Sequence, residues 1–159
     1  MALGANLGDR QQNILRGMKR LEDLSEKPLL RSSLWETTPV DCPPGSPAFV
    51  NAVVGLRPRT EETPESLLLK LQALEKEFGR QPKKVLNEPR PLDADLIAFG
   101  GETRATPGLT LPHPRARERR FVLQPLSEIA PNLILPGQSQ SVAQLLARLP
   151  PAEPMRKLT

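Results

Sequence analysis

Two stretches of this chain repeat apolar residues at helical spacing, and each is bracketed by runs that read as strands; that order constrains the fold more than any other feature. Ile14, Leu15, Met18, Leu21 and Leu24 form one stripe, and Leu67, Leu68, Leu71, Leu74 and Phe78 form the other. Asp9 is placed to cap the first helix. Thr63 and Pro64 start the second, because proline fits a first turn whose N–H groups have no helical partner, and Gly79 ends it. The chain starts almost at the turn-like GANLGD, so the first strand is expected to be a stub over residues 1–3. Further strands are predicted at residues 29–37, at 49–57 and in the apolar run that Asp93 opens. The order strand–helix–strand–strand–helix–strand is the split βαβ pattern of ferredoxin-like α+β sandwiches. Both helices are then expected on one sheet face, leaving the other for a site. Short extra helices are predicted at residues 120–129 and 142–149, with a loose tail over 151–159 after a single domain of residues 1–150.

At 159 residues the chain suits one domain that buries roughly two-thirds of its unfolded surface. With neither a signal pattern nor a long apolar run, a soluble cytoplasmic protein without a membrane partner is expected. The single cysteine, Cys42, excludes an intrachain disulfide and any cysteine-rich metal site. A net charge of +4 and a pI near 9.6 suit either nucleic acid or a polyphosphate substrate. Distribution favours the second. Arg80, Lys83, Lys84 and Arg90 precede Asp93, while Arg115, Arg117, Arg119 and Arg120 follow His113, so the cations form two clusters about one point. Nineteen prolines argue against an all-helical bundle.

That point is Asp93-Ala94-Asp95. Side chains two apart on a strand share a face and lie roughly 6.5–7 Å apart at the backbone. Two carboxylates so placed suit Mg²⁺, which takes one or two of them and completes its octahedron with phosphate and water. A bare D-x-D also serves as a strand-start cap followed by a solvated residue. The apolar Leu96, Ile97, Ala98 and Phe99 weigh against that, because a charge entering a buried strand requires a partner. Arg90, three residues upstream, is placed to meet phosphates. No G-x-x-x-x-G-K-[ST] or G-x-G-x-x-G occurs, so phosphates would be held by arginines, metal and loop amides.

Gly4 and Asn6 offer polar contacts in the first loop or merely shape a turn. Phe49 and Asn51 share a strand face, which suits stacking on a flat heterocycle and bonding its edge, although core packing would use them too. Gln72 and Glu75 are i,i+3 neighbours on the second helix, whether as ligand contacts or as its solvated face. His113, the only histidine, lies between prolines near the downstream arginines. Phe121 is a second candidate aromatic wall, and Trp35 is assigned to packing.

Taken in order, ALGANLGDR, SSLWETTPV, PAFVNAVVGL, LQALEKEFGR, NEPRPLDADLIAFG and LTLPHPRARERRFVLQPLSEIAP resemble the 6-hydroxymethyl-7,8-dihydropterin pyrophosphokinase family over nearly all of residues 2–135. The resemblance implies a ferredoxin-like fold and transfer of pyrophosphate from ATP to the pterin hydroxymethyl group, releasing AMP, in folate synthesis. It implies that Asp93 and Asp95 ligate two Mg²⁺ ions, with Arg90 and Arg80 as catalytic cations. Gly4, Asn6, Phe49, Asn51, Phe121 and the segment Thr38, Pro39 and Val40 would bind the pterin. Gln72, Glu75, Arg90, Leu96, Thr110, His113 and Arg119 would line the ATP side. The implied partners are small molecules, with a monomer as the working form and no nucleic acid. Asn87 and Glu88 stand where the family commonly has an aromatic residue and a glycine, and Phe49 where a tyrosine is frequent. Two alternatives remain: another Mg²⁺-dependent nucleotide transferase using the same D-x-D, or a basic RNA-binding module on the same frame. Such a module stacks bases on strand aromatics, and this chain has no tyrosine and only four phenylalanines.

Overall fold

The computed structural model describes residues 1–38, 44–45, 47–79, 90–151 and 155–158. Strand β1 (Ala2–Ala5) leads into helix α1 (Arg10–Glu22), where Asp9 Oδ1 accepts from the Gln12 amide at 3.2 Å. Strands β2 (Leu30–Arg31), β3 (Leu34–Thr37) and β4 (Phe49–Gly55) follow. Helix α2 (Pro64–Glu77) opens with a reciprocal capping box between Thr63 and Ser66, and Gly79 after it adopts φ +89°. Strand β5 is Asp93–Asp95. A hairpin of β6 (Arg104–Thr106) and β7 (Leu109–Leu111) precedes a 3-10 turn, helices α3 (Arg120–Ile129) and α4 (Val142–Arg148), and strand β8 (Arg156–Leu158).

The main sheet runs β5-β1-β4-β3-β8, with β2 also on β4 and every pairing antiparallel. The first four strands of that order are the ferredoxin-like arrangement the element pattern predicts. Partners across an antiparallel pair share a face, so register sorts the sheet into two sides. Leu3, Ala52 and Ala94 lie on one side and join Ile14, Met18 and Leu21 of α1 and Leu67, Leu71 and Leu74 of α2 in the main core. Gly4, Asn51 and Asp93 line up on the other. Among the described residues, no helix is long and apolar enough to cross a membrane.

Several elements differ from the sequence expectation. The first strand is no stub: it extends through Ala5 and lies between β4 and β5. The strand expected at 29–37 is broken, because Arg31 pairs with Val54 but Trp35 with Asn51, so Ser32 and Ser33 together oppose Val53. This is a bulge, stabilised as Ser32 Oγ accepts from the Val53 amide at 2.8 Å. The strand expected in the apolar run after Asp93 is confined to the aspartate segment, and Leu96 and Ile97 are buried as irregular chain. The second sheet face is not left wholly free, since Leu123 and Leu126 of α3 and Val142 of α4 pack on Val53. Residues 156–158, expected within a loose tail, pair with β3 as β8.

Candidate active site

The sheet register assembles the site from three strands. Gly4 in the middle is flanked by Asn51 on β4 and Asp93 on β5, while Ala2 is flanked by Val53 and Asp95. Both aspartates are partly exposed and the intervening Ala94 is buried on the opposite face, as the two-residue period requires. At Gly4 there is no room for a side chain: a Cβ would lie 3.0 Å from Asn51 Oδ1 and 3.6 Å from Phe49 Cδ1. Asn51 cannot easily move aside, since its Nδ2 donates to Thr37 Oγ1 at 2.7 Å in a buried contact. Thr37 is a residue that sequence reasoning passed over. Its position opposite Phe49 follows only from the bulge that sets the β3 register.

The loop after β1 acts as a bracket. Asn6 is buried; its Oδ1 accepts from the Arg90 amide at 2.8 Å and its own amide donates to the Arg90 carbonyl at 3.1 Å. Asn6 therefore fixes the backbone of Arg90, and its Nδ2 reaches the Pro47 carbonyl at 3.5 Å. The Arg90 guanidinium lies 3.4 Å from Asp93 Oδ2 and 5.6 Å from the centroid of the Phe49 ring. Arg10, at the start of α1, donates to the Ala48 carbonyl at 2.8 Å and pairs with Glu36 at 3.2 Å. A cation at a helix N-terminus opposes the helix dipole, and the Glu36 carboxylate offsets it. Glu36 is shared with Arg156 of β8, and the hydrogen bond from Arg156 is the leading cause that holds its carboxyl below the usual range.

A second aromatic–arginine pair comes from the start of α3. Phe121 packs against the cluster of Ile97, Ala116 and Val122, as Ala2 does, and the Arg119 guanidinium lies 5.4 Å from its ring centroid. Each candidate ring thus carries a guanidinium, a placement worth ~0.5–1 kcal/mol or more where water is excluded. Burial lowers the pKa of Arg119, Arg115 adds to that, and the charges of Asp95 and Asp93 oppose it. His113 is lowered by burial first and by Arg119 second, against the pull of Asp93, so it is neutral at pH 7. Its Nδ1 accepts from the Arg115 amide at 3.2 Å, which assigns the proton to Nε2 and makes that nitrogen a donor.

Of the nucleotide-side candidates, Leu96 is buried behind β5, Thr110 is exposed on β7 and Gln72 is exposed on α2. The side chain of Glu75 reaches the Ala94 amide, its Oε2 accepting at 2.9 Å. Thr38 is exposed just beyond β3. Pro39, Val40, Cys42, Arg80, Asn87 and Glu88 lie outside the described residues. Among the described residues, no group of three or more His, Cys, Asp or Glu side chains forms a metal cage. The donor set is instead an oxygen pair, which fits Mg²⁺ with its remaining positions filled by phosphate and water.

Residues 1–131 match the family of 7,8-dihydro-6-hydroxymethylpterin-pyrophosphokinase. The chain is 38% identical over 151 residues to the 2-amino-4-hydroxy-6-hydroxymethyldihydropteridine pyrophosphokinase of Pseudomonas aeruginosa, covering 94% of this chain and 90% of that one. It is 37% identical over 150 residues to the folic acid synthesis protein fol1 of Pneumocystis carinii, and 36% over 129 residues to a folate synthesis bifunctional protein of Arabidopsis thaliana. These matches take in 94% and 81% of this chain but only 20% and 26% of the fungal and plant proteins. With the match running from β1 through the end of α3, the chain belongs to the 7,8-dihydro-6-hydroxymethylpterin-pyrophosphokinase family.

Proposed function

We propose that this protein transfers the pyrophosphoryl group of ATP to the hydroxymethyl oxygen of 6-hydroxymethyl-7,8-dihydropterin, releasing AMP, as a step of folate synthesis. Family membership supports the reaction, and the row Asp93, Gly4, Asn51 is the observation that carries it to these residues. One end of the row is a carboxylate for metal and phosphate, and the other is an amide suited to a heterocycle edge. Between them Gly4 leaves free the space that a side chain would take from Asn51 and Phe49.

In this reading the pterin ring stacks between Phe49 and Phe121, and Asn51, held by Thr37, reads its edge. The backbone of residues 38–40 bonds the same edge. The hydroxymethyl oxygen then lies toward Asp93 and Asp95. The substrate hydroxyl attacks the β-phosphorus, the bond from that phosphorus to the α–β bridging oxygen breaks, the hydroxyl proton passes to solvent, and AMP departs with the bridging oxygen. Arg90, Arg80 and Arg119 neutralise charge on the transferring group, and neutral His113 donates from Nε2 to a phosphate oxygen. Gln72, Leu96 and Thr110 line the nucleotide. Asp93 and Asp95 hold two Mg²⁺ ions, which when bound supply Lewis-acid stabilisation of the triphosphate and of the attacking oxygen. No covalent intermediate on the protein is needed. In the same reading the substrates are small molecules and the working form is a cytoplasmic monomer that binds neither membrane nor nucleic acid.

Asp95→Asn keeps the shape and removes the charge. It is expected to lower pterin-dependent AMP formation at saturating Mg²⁺ by about a hundredfold or more, as for loss of one preorganised stabiliser of a developing charge. Full activity in that variant, measured by nucleotide chromatography, would remove the carboxylate pair from the mechanism.

A further inference from the structure

Strand β5 is three residues long and ends the strand order of the sheet, so among the described residues strand pairing holds it only on the β1 side. Along a strand, successive N–H groups point to alternate sides. Asp93 and Asp95 therefore share one direction and Ala94 takes the other. The Ala94 amide meets Glu75 Oε2 of α2 at 2.9 Å. A helix carboxylate stands where the next strand of a wider sheet would supply a carbonyl. Ala94 is itself buried, so its amide has little access to water as a substitute partner.

We propose that Glu75 is a positioning residue for the carboxylate pair: by taking the Ala94 amide it clamps β5 from its open side and sets the spacing of Asp93 and Asp95. This rests on the proposed function insofar as the two carboxylates hold Mg²⁺. It assigns Glu75 a task different from nucleotide contact. Gln72, one turn earlier on the same face, makes no such bond to β5 among the described residues and has no part in the clamp. A group that orients metal ligands without touching the metal changes its affinity by roughly ten- to a hundredfold when removed.

Hydrogen exchange at the Ala94 amide, read by NMR in metal-free protein, tests the clamp without reference to activity. Slow exchange is expected in the wild type, fast exchange in Glu75→Ala, and slow exchange again in Glu75→Gln, whose side-chain carbonyl still accepts. Fast exchange at Ala94 in the wild type overturns the proposal with no variant needed. In parallel, the free Mg²⁺ concentration giving half-maximal AMP formation at saturating ATP is expected to rise roughly ten- to a hundredfold in Glu75→Ala, with recovery in Glu75→Gln and little change in the pterin KM. A higher ATP KM in Glu75→Ala with an unmoved Mg²⁺ midpoint would instead make Glu75 a nucleotide contact and overturn the clamp. If the wild type forms no pterin-dependent AMP while Ala94 exchange still follows Glu75, the functional reading fails and the clamp stands.

Discussion

Gly4 shows how one residue can decide a site. Its neighbours across the strands are the candidates Asn51 and Asp93, and an added methyl would press on Asn51 Oδ1 at 3.0 Å while Thr37 holds that amide from the other direction. Gly4→Ala is therefore expected to lower kcat/KM for the pterin by about ten- to a hundredfold, the range for a small misplacement of a positioning group, with the ATP KM nearly unchanged. Steady-state kinetics with each substrate varied would show the split. His113 makes a prediction about pH. Its pKa lies below 6.5 because burial and Arg119 disfavour the cation. The unfolded chain thus binds more protons than the folded one between the lowered value and 6.5. The corresponding stability is fully present above about pH 6.5 and is lost as pH falls through the lowered pKa. Urea unfolding across that window should show a weaker pH dependence in His113→Gln than in the wild type. These residues were legible as candidates, because Asp93, Asp95, Phe49 and Asn51 declare themselves by a two-residue period. Thr37 was not, because its partnership with Asn51 depends on a register that no local pattern reveals.

Among the elements, the helices were the readable part. Apolar stripes with Asp9, Thr63, Pro64 and Gly79 at their ends mark α1 and α2, and the span of α3 follows the prediction at 120–129. Strands shorter than a full alternation were not readable. The β6–β7 hairpin does not declare itself although Pro107 and Gly108 punctuate it, since three residues a side are too few to show a period. Strand β8 carries Arg156 and Lys157 and looks like a charged tail; in the structure it pairs with β3, and Glu36 and Glu128 meet those cations. The bracket made by Arg10 is also a product of tertiary context, and it has a measurable consequence. Arg10→Ala removes the Ala48 contact just before Phe49 and leaves Glu36 with Arg156 alone. The expected outcome is a higher pterin KM, an unchanged ATP KM and a loss of about 1 kcal/mol in the urea unfolding free energy, modest because the pair is about a quarter exposed.

At the scale of the molecule, one sheet divides the labour. The face toward α1 and α2 is apolar from Leu3 to Leu96 and holds the fold together. The opposite face is shared between α3 packing near Val53 and the polar row at Gly4. The two basic clusters seen in the sequence contribute Arg90 from one side and Arg119 from the other, each set against an aromatic ring. In the proposed function these two cations are the ones that meet the charge of a triphosphate. The most direct measurement is to incubate the purified protein with Mg²⁺, ATP and 6-hydroxymethyl-7,8-dihydropterin and to identify both products by chromatography. The account predicts AMP and the pterin pyrophosphate in equal amounts, formed only when the pterin is present and abolished by EDTA. Inorganic pyrophosphate with a nucleotidylated pterin, or no pterin-dependent AMP from protein shown to be folded, would contradict it.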